Sequence, residues 1–477
     1  MVRDTRSGAV VAVRGFDLGE PRRVHVVAVG GYAMSAIARY LHQLGHSVSG
    51  CDITDAPVLA TLAGDGIEVE LGHDADHVTR STARLDALSV ATAVPRNLPE
   101  LLAAAERGIP VLSRGETMRL IAATKPNVAV VSGTHGKTTT SAMVTSILRA
   151  AGHCPSFFVG GTITELGTNA GYDHDGEWLV VEGDESDHSF LDFPRNAALV
   201  TNIEADHLDR WGDDIANLVW GFETFIDTTE RLAVLCVDDP VTRALADARP
   251  NARTYGFAPT AHVHARDYTP TPTGSRVTIE CGGDEVDVDL RLRGRDMAQN
   301  AVGAFALTTA LEVAPQVAAE ALAGFSGVAR RFQFRGTCNG ADCFDDYAHT
   351  ATEVRTTLAR AREGGWARVI AVFQPHRYTR IARHAAEFGE AFDAADLVVV
   401  TGLDAAFEAP IEGVSDQLVV QAIHESRPGL AVVSIPEWDD LATVPWEHAR
   451  AGDCIVTLGC GTITKVHDDW ARIASAR

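Results

Sequence analysis

Within the six residues Gly133-Thr134-His135-Gly136-Lys137-Thr138 the chain places two glycines, a lysine and two threonine hydroxyls. Glycines let backbone N–H groups close around an anion, a lysine neutralises phosphate oxygens, and a threonine hydroxyl can hold magnesium. The apolar run before Gly133 reads as a strand and the residues after Lys137 as a helix, the setting in which such a turn binds phosphate. The match to G-x-x-x-x-G-K-[ST] is incomplete, because Val131 stands where the first glycine belongs. The expectation is a site for ATP or a similar triphosphate, held by Gly133, Thr134, His135, Gly136, Lys137, Thr138 and Thr139.

Acidic residues follow in two bursts. VVEGDESDHSFL carries Glu182, Asp184, Glu185 and Asp187, and TNIEADHLDRW carries Glu204, Asp206, His207 and Asp209. Carboxylates at strand ends beside a phosphate turn suit Mg2+, a hard cation that prefers oxygen ligands. About half of these residues read equally well as solvated loop charges. Glu182 does not, since it directly follows the apolar run Trp178 to Val181.

These groups need elements to position them. A chain of 477 residues exceeds one core and predicts about two to four domains. VHVVAVGG reads as a buried strand entering a glycine turn, MSAIARYLHQLG as an amphipathic helix, and SVSGCD as the next strand, ending in Asp52. This is the layout of a nucleotide-binding β-α-β unit, although Gly30-Gly31 followed by Tyr32-Ala33-Met34 does not complete G-x-G-x-x-G, and an ordinary tight turn fits as well. A second α/β stretch opens at the phosphate turn, with strands WLVVEG, AALVTNI and LAVLCV, a polar β-like patch between His262 and Leu292, and a helix over 299–313. A third runs through CFDDYA, a helix near Thr352 to Arg362, RVIAVFQ, a helix ending near Ala394, DLVVVTG and DCIVTLG. The expected fold is α/β in three domains: a Rossmann-like domain over 23–124, a central P-loop ATPase-like domain over 125–328, and a Rossmann-like domain over 329–477. Residues 1–22 are expected to form a short disordered arm on a cytoplasmic protein.

With 41 basic against 64 acidic residues, the net charge of -23 argues against nucleic acid or an anionic membrane as the main partner. No apolar run reaches the roughly 18 residues of a membrane span. The eight cysteines fit neither a zinc C-x-x-C pattern nor a small disulfide scaffold, and read as reduced, mostly buried thiols.

Six ordered blocks, GTHGKTTT, EGDESDHSFL, TNIEADHLD, GVARRFQFRG, DDYAHTATEV and FQPHRYTR, resemble the Mur ligases of peptidoglycan synthesis, and the resemblance runs from VHVVAVGG to LGCGTIT. FQPHRY with GVARRFQ points to the alanine-adding branch. The resemblance implies an ATP-dependent ligase that binds UDP-N-acetylmuramate at the N-terminal domain and ATP at the central domain, and joins L-alanine to the lactyl carboxylate through an acyl phosphate. It implies Lys137 at the phosphates, Thr138, Glu182 and His207 at Mg2+, and Lys137, His207 and Arg377 in catalysis. Asn300, Arg331 and Asp346 match residues near the nucleotide. Gly30, Gly31, Met34, Ser35, Asp52, Glu185, Ser186, Asp187, His349, His376, Arg377 and Arg380 match groups facing the substrates. Taken singly, each C-terminal match reads equally well as a surface or interdomain salt bridge. Three departures stand out: Tyr32-Ala33 in the first glycine turn, Asp296-Met297 where the family has histidine and asparagine, and Thr350-Ala351 where it has histidine and proline. A related ligase with another acceptor or amino acid, and a nucleotide-binding homologue without activity, stay open at this point, as does the choice between monomer and homodimer.

Overall fold

The computed structural model describes residues 16–80, 84–92, 94–406 and 408–476, so the expected N-terminal arm lies, through residue 15, outside the described residues. Residues 16–22 are not an arm. Leu18 is buried in the core with Phe16 packed on it, and Arg22 pairs with Asp17 and lies over the Phe16 ring. Two apolar side chains so near the first strand cost less inside than in water.

Five parallel strands, β1 (Arg23–Val27), β2 (Ser47–Asp52), β3 (Glu68–Leu71), β4 (Ala87–Val90) and β5 (Val111–Ser113), form a sheet of order β3-β2-β1-β4-β5. β1 continues through a glycine turn into the helix Tyr32–Gln43, whose Met34, Ile37, Ala38 and Leu41 face the core. The central strands are β6 (Asn127–Ser132), β7 (Ser156–Ile163), β8 (Thr168–Gly171), β9 (Trp178–Glu182), β10 (Ala197–Val200), β11 (Leu232–Cys236) and β12 (Arg253–Gly256), in the order β8-β7-β9-β6-β10-β11-β12. β6 lies between β9 and β10, and both of these pair with it in parallel. The strand order reverses there, and in an open α/β sheet such a point leaves a crevice at the carboxyl ends of the strands.

The polar patch is a three-stranded antiparallel meander, β13 (Val263–Thr271), β14 (Gly274–Cys281) and β15 (Asp284–Leu290). The C-terminal strands β16 (Gln333–Cys338), β17 (Ala341–Asp346), β18 (Val369–Phe373), β19 (Leu397–Thr401), β20 (Ala431–Ile435) and β21 (Cys454–Leu458) take the order β16-β17-β21-β18-β19-β20, parallel apart from the β16–β17 hairpin. Along β18 the side chains alternate between two cores: Val369, Ala371 and Phe373 in one, Ile370 and Val372 in the other. The α/β expectation holds in each sheet.

The chain divides into two compact units. One runs through Thr162 and adds Leu166–His262 and Gly303–Ala318; the other comprises Ile163–Glu165, Val263–Val302 and everything from Ala319 on. The N-terminal and central sheets share one apolar core, which joins Val24, Ile37 and Leu41 to Val130, Phe190 and Phe222. The meander instead belongs with the C-terminal sheet: Arg360 pairs with Asp296, Tyr268 donates to Glu363, and Arg293 lies over the Trp366 ring.

The helix expected to end near Ala394 stops at His384 and continues as a 3-10 turn, Ala385–Gly389. A Cβ on Gly389 would come within 2.3 Å of Ser426 Oγ, so glycine there lets the neighbouring helix Gln417–Ser426 pack closely. The eight cysteines are all free thiols, five of them buried.

Phe190, fully buried, stacks its ring 5.2 Å from Phe222 and 5.1 Å from Phe225, and so anchors the loop that follows β9. Phe190→Ala should cost about 3–5 kcal/mol, read as a lowered denaturant midpoint for the unit that holds it.

Candidate functional site

The turn after β6 sits at the switch point between β9 and β10. Gly133 has φ 132°, and a Cβ there would meet Thr201 Oγ1 at 2.1 Å and the Asn202 carbonyl at 2.9 Å. Only glycine fits. The end of β10 holds the turn by pairing: Thr134 N–H donates to the Asn202 carbonyl (2.9 Å), His135 N–H to Asn202 Oδ1 (2.9 Å), and the Thr201 hydroxyl to the His135 carbonyl (2.6 Å). Glu204 N–H in turn donates to Thr134 Oγ1 at 2.9 Å. Gly136, at φ 83°, then opens the helix Lys137–Ala150 and brings no side-chain cap to it. A helix start left uncapped, with its dipole directed outward, is suited to an anion.

Lys137 points back over this turn. Its ammonium donates to the Gly133 and Thr134 carbonyls and to both Glu185 oxygens, at 3.1 and 2.8 Å. Burial opposes its charge, but Glu185, Asp184 and Glu182 outweigh that and raise its pKa, so it stays charged. Burial pushes the Glu185 carboxyl up to about 7 against the pull of Lys137. Asp184 behaves oppositely: burial would raise it, but Lys137 and Arg114 hold it at about 2. Arg114 donates to Asp184 at 3.0 Å and Asp187 at 2.8 Å, and Ser186 donates to Asp184 through its hydroxyl and its N–H. Of the expected substrate contacts, Glu185, Ser186 and Asp187 are thus gathered into one network around Lys137.

Glu182 ends β9 and accepts the Gly160 N–H at 2.7 Å. A Cβ on Gly160 would lie 2.4 Å from Glu182 Oε2 and 2.8 Å from Thr138 Oγ1, so these two expected Mg2+ ligands border one small space that a larger side chain would fill. His207 follows β10 in the left-handed region at φ 53°, with its Nε2 3.7 Å from Asp206. Among the described residues no three His, Cys, Asp or Glu ligand atoms converge at this point.

At the N-terminal glycine turn, Gly30 N–H donates to Asp52 Oδ2 at 2.9 Å and Gly31 precedes the helix Tyr32–Gln43 without a side-chain cap. Met34 is buried, and Ser35 donates to the Tyr32 carbonyl. Tyr32, half exposed, bonds Thr162 Oγ1 at 2.8 Å.

In the other unit, His349 and His376 lie 6.2 Å apart, ring to ring, and Arg380 reaches within 3.4 Å of His376. Burial, then His349 and Arg380, lowers His376 to about 4, which keeps it neutral. Arg377 is exposed and has φ 66°. Asp346 is buried, accepts the Phe332 and Ala348 N–H groups and pairs with Arg360; Arg331 lies over the Tyr347 ring. Asn300 touches the Met297 sulfur at 4.0 Å.

Three contributors escape a reading of the motifs: Arg114, Asn202 and Gly160. Only Arg114 leaves a trace, as a cation in the first turn of a helix capped by Ser113 and Glu116, where the dipole disfavours it.

Comparison with known proteins decides the family. Residues 23–126 match the Mur ligase family catalytic domain, 131–308 the Mur ligase middle domain, and 330–461 the Mur ligase glutamate ligase domain. The UDP-N-acetylmuramate--L-alanine ligase of Bradyrhizobium sp. (strain ORS 278) is 40% identical over 455 residues, covering 93% of this chain and 95% of that protein. The chain belongs to the Mur ligase family. The protein of the same name from Acidothermus cellulolyticus is 41% identical over 92% of both chains. The crystal structure of the UDP-N-acetylmuramate-alanine ligase from Thermotoga maritima aligns with a TM-score of 0.81 at 26% identity, over 96% of this chain and all of that one. A murein peptide ligase from Psychrobacter arcticus shares the fold at TM-score 0.68 and 22% identity. The three-domain α/β Mur ligase fold expected from the sequence is therefore the fold of this chain.

In this Mur ligase, removing Arg114 should free Asp184 to titrate nearer the usual carboxylate range. Because Asp184 is depressed in the folded chain, its contribution is present above its unfolded value of about 3.9 and is lost as pH falls toward 2. Arg114→Ala should therefore cost on the order of 1 kcal/mol at pH 7, after discounting for solvent around this half-buried pair. The gap to the parent chain should narrow at pH 3 and close only near pH 2, as measured by denaturant midpoints at pH 7, 3 and 2.

Proposed function

We propose that this Mur ligase joins L-alanine to the lactyl carboxylate of UDP-N-acetylmuramate at the expense of ATP, in peptidoglycan precursor synthesis. The observation that carries the reading is the turn of Gly133 to Thr138, opened at an uncapped helix start and overhung by a lysine that stays charged. Relatives about 40% identical over nearly the whole chain bear the corresponding name.

A carboxylate at neutral pH is a poor electrophile, so it must first gain a leaving group. Its oxygen attacks the γ-phosphorus, the β–γ bridging bond breaks, and an acyl phosphate and ADP result. The amine then attacks the acyl carbon, and phosphate leaves with the bonding electrons as the nitrogen loses a proton. Two anions meet in the first step, so positive charge fixed at the phosphates is the main catalytic need. Lys137 supplies it once the phosphates replace Glu185 as its partner, and the backbone N–H groups of Gly136 to Thr139 surround the oxygens. Thr138 and Glu182 are the residues that would hold Mg2+, with His207 as a further ligand, and the cation would offset the remaining phosphate charge. Gly30, Gly31, Met34, Ser35 and Asp52 would receive the nucleotide sugar. His349, His376, Arg377 and Arg380 would face the amino acid, whose carboxylate suits an arginine fork.

The departures at Asp296-Met297 and Thr350-Ala351 have structural uses of their own. Asp296 pairs with Arg360, Met297 is buried, and Thr350 with Glu353 forms a capping box for the helix Ala351–Glu363. Among the described residues no helix is long and apolar enough to cross a membrane; we infer a cytoplasmic location from the likeness to the alanine-adding ligases.

Phosphate should be released only when UDP-N-acetylmuramate, ATP, Mg2+ and L-alanine are all present, and Lys137→Ala should lower the rate more than about 100-fold. Release that ignores the nucleotide sugar would remove this reading, and a preference for another amino acid would redirect it. Because Glu185 titrates near 7, its ionisation ties down Lys137 as pH rises. Binding of an ATP analogue, measured calorimetrically from pH 6 to 8, should weaken with pH more steeply in the parent chain than in Glu185→Gln.

A further inference from the structure

A second cluster of titratable groups lies beneath the N-terminal glycine turn and takes no part in the chemistry above. Five elements converge on it: His25 from β1, Cys51 from β2, His73 after β3, His77 from the short helix Asp76–Thr79, and Glu100 from the helix Pro99–Glu106. His25, Cys51 and Glu100 are no more than 1% exposed. Cys51 Sγ lies 3.3 Å from His25 Nε2, 3.6 Å from His73 Nδ1 and 3.3 Å from Glu100 Oε1. That same carboxylate oxygen is 3.0 Å from the Nδ1 atoms of both His73 and His77, and it also accepts the Asp74 N–H.

Two features separate this cluster from a plain hydrogen-bond network. Four donors crowd one oxygen of Glu100, while its other oxygen, Oε2, is buried with no partner at all. A buried carboxylate oxygen left unpaired costs about 1–3 kcal/mol or more, and networks rarely leave one so. The spacing is the second feature. Zn2+ bonds of about 2.3 Å to sulfur and 2.0–2.1 Å to nitrogen or oxygen put tetrahedral ligand atoms about 3.3–3.6 Å apart. The ligand atoms of Cys51, His73 and Glu100 all lie within 4.8 Å of one another, as do those of Cys51, His25 and His77, so Cys51 is common to two such triplets.

We propose that Cys51, His73 and Glu100 ligate a structural Zn2+ ion in the N-terminal sheet, with His25 held beside the Cys51 sulfur. Thiolate and imidazole with one carboxylate select a borderline-soft cation over Mg2+ or Ca2+. On binding, the Cys51 thiol proton passes to solvent and the sulfur lone pair goes to the cation. His77 then hydrogen-bonds the ligating carboxylate from outside the first ring of ligands. The site would stiffen the end of β2, where Asp52 adjoins Cys51 and holds the Gly30 N–H. It differs from the Mg2+ position at the phosphate turn in both residues and ligand type.

The full-length chain, stripped with a chelator under reducing conditions and reloaded with Zn2+, should keep one equivalent through gel filtration, counted by atomic emission, and should melt at a higher temperature. Co2+ loading should give a sulfur-to-metal charge-transfer band. Cys51→Ser should lose that band and bind Zn2+ more than about 100-fold more weakly, and His73→Ala should weaken it similarly, whereas Cys154→Ser, at an exposed thiol, should match the parent. Circular dichroism checks that the variants fold; if they do not, the cobalt spectrum of the parent chain decides by itself. Failure of the parent chain to retain zinc or show the band, or equal retention by Cys51→Ser, would overturn the site. Neither result bears on phosphate release at Lys137.

Discussion

A lysine kept charged in a largely buried place is the constraint on which the rest of the molecule turns. Moving an ammonium out of water costs several kcal/mol, and the loss is recovered only when carboxylates and carbonyls surround it. Lys137 has two Glu185 oxygens and two loop carbonyls against it, with Asp184 and Glu182 adding to the field. A chain of net charge -23 would repel a nucleotide tail at long range. The site must therefore attract phosphate through a few fixed local charges and dipoles. The same carboxylates that keep Lys137 charged compete with phosphate for it, and a Glu185 that protonates near neutrality makes that competition reversible.

The frame around the lysine is rigid because each part is held by another strand. The end of β10 grips the phosphate turn through Thr201, Asn202 and Glu204, and Gly133 leaves no room for a side chain between them. Arg114, from the helix after β5, grips the acidic loop after β9 through Asp184 and Asp187. The N-terminal and central sheets thus share a charged link as well as an apolar core, and the glycine turn at Gly30 belongs to the same compact unit as Lys137.

Much of this was legible in the sequence because local chemistry dictated it. Apolar, β-branched runs such as Val128 to Val131 and Val369 to Phe373 favour strands buried on both faces, and glycine, lysine and threonine between a strand and a helix favour a phosphate turn. Long-range pairing was not legible. Nothing near Arg114 in the chain announces Asp184 about seventy residues on, and the role of Gly160 follows only from a strand returning beside β9. The pairs that tie the meander to the C-terminal sheet, Asp296–Arg360 and Tyr268–Glu363, were equally hidden, since only the fold brings them together. Asp346, expected beside a nucleotide, also accepts the Phe332 and Ala348 N–H groups, a pairing no motif announces.

The most direct test is a crystal structure of the chain grown with Mg2+ and a nonhydrolysable ATP analogue. The account predicts the triphosphate seated on Gly133 to Thr139, Lys137 moved from Glu185 onto the β and γ oxygens, and Thr138 and Glu182 at the cation. A triphosphate bound elsewhere, or Lys137 still paired with Glu185 beneath a bound nucleotide, would contradict it.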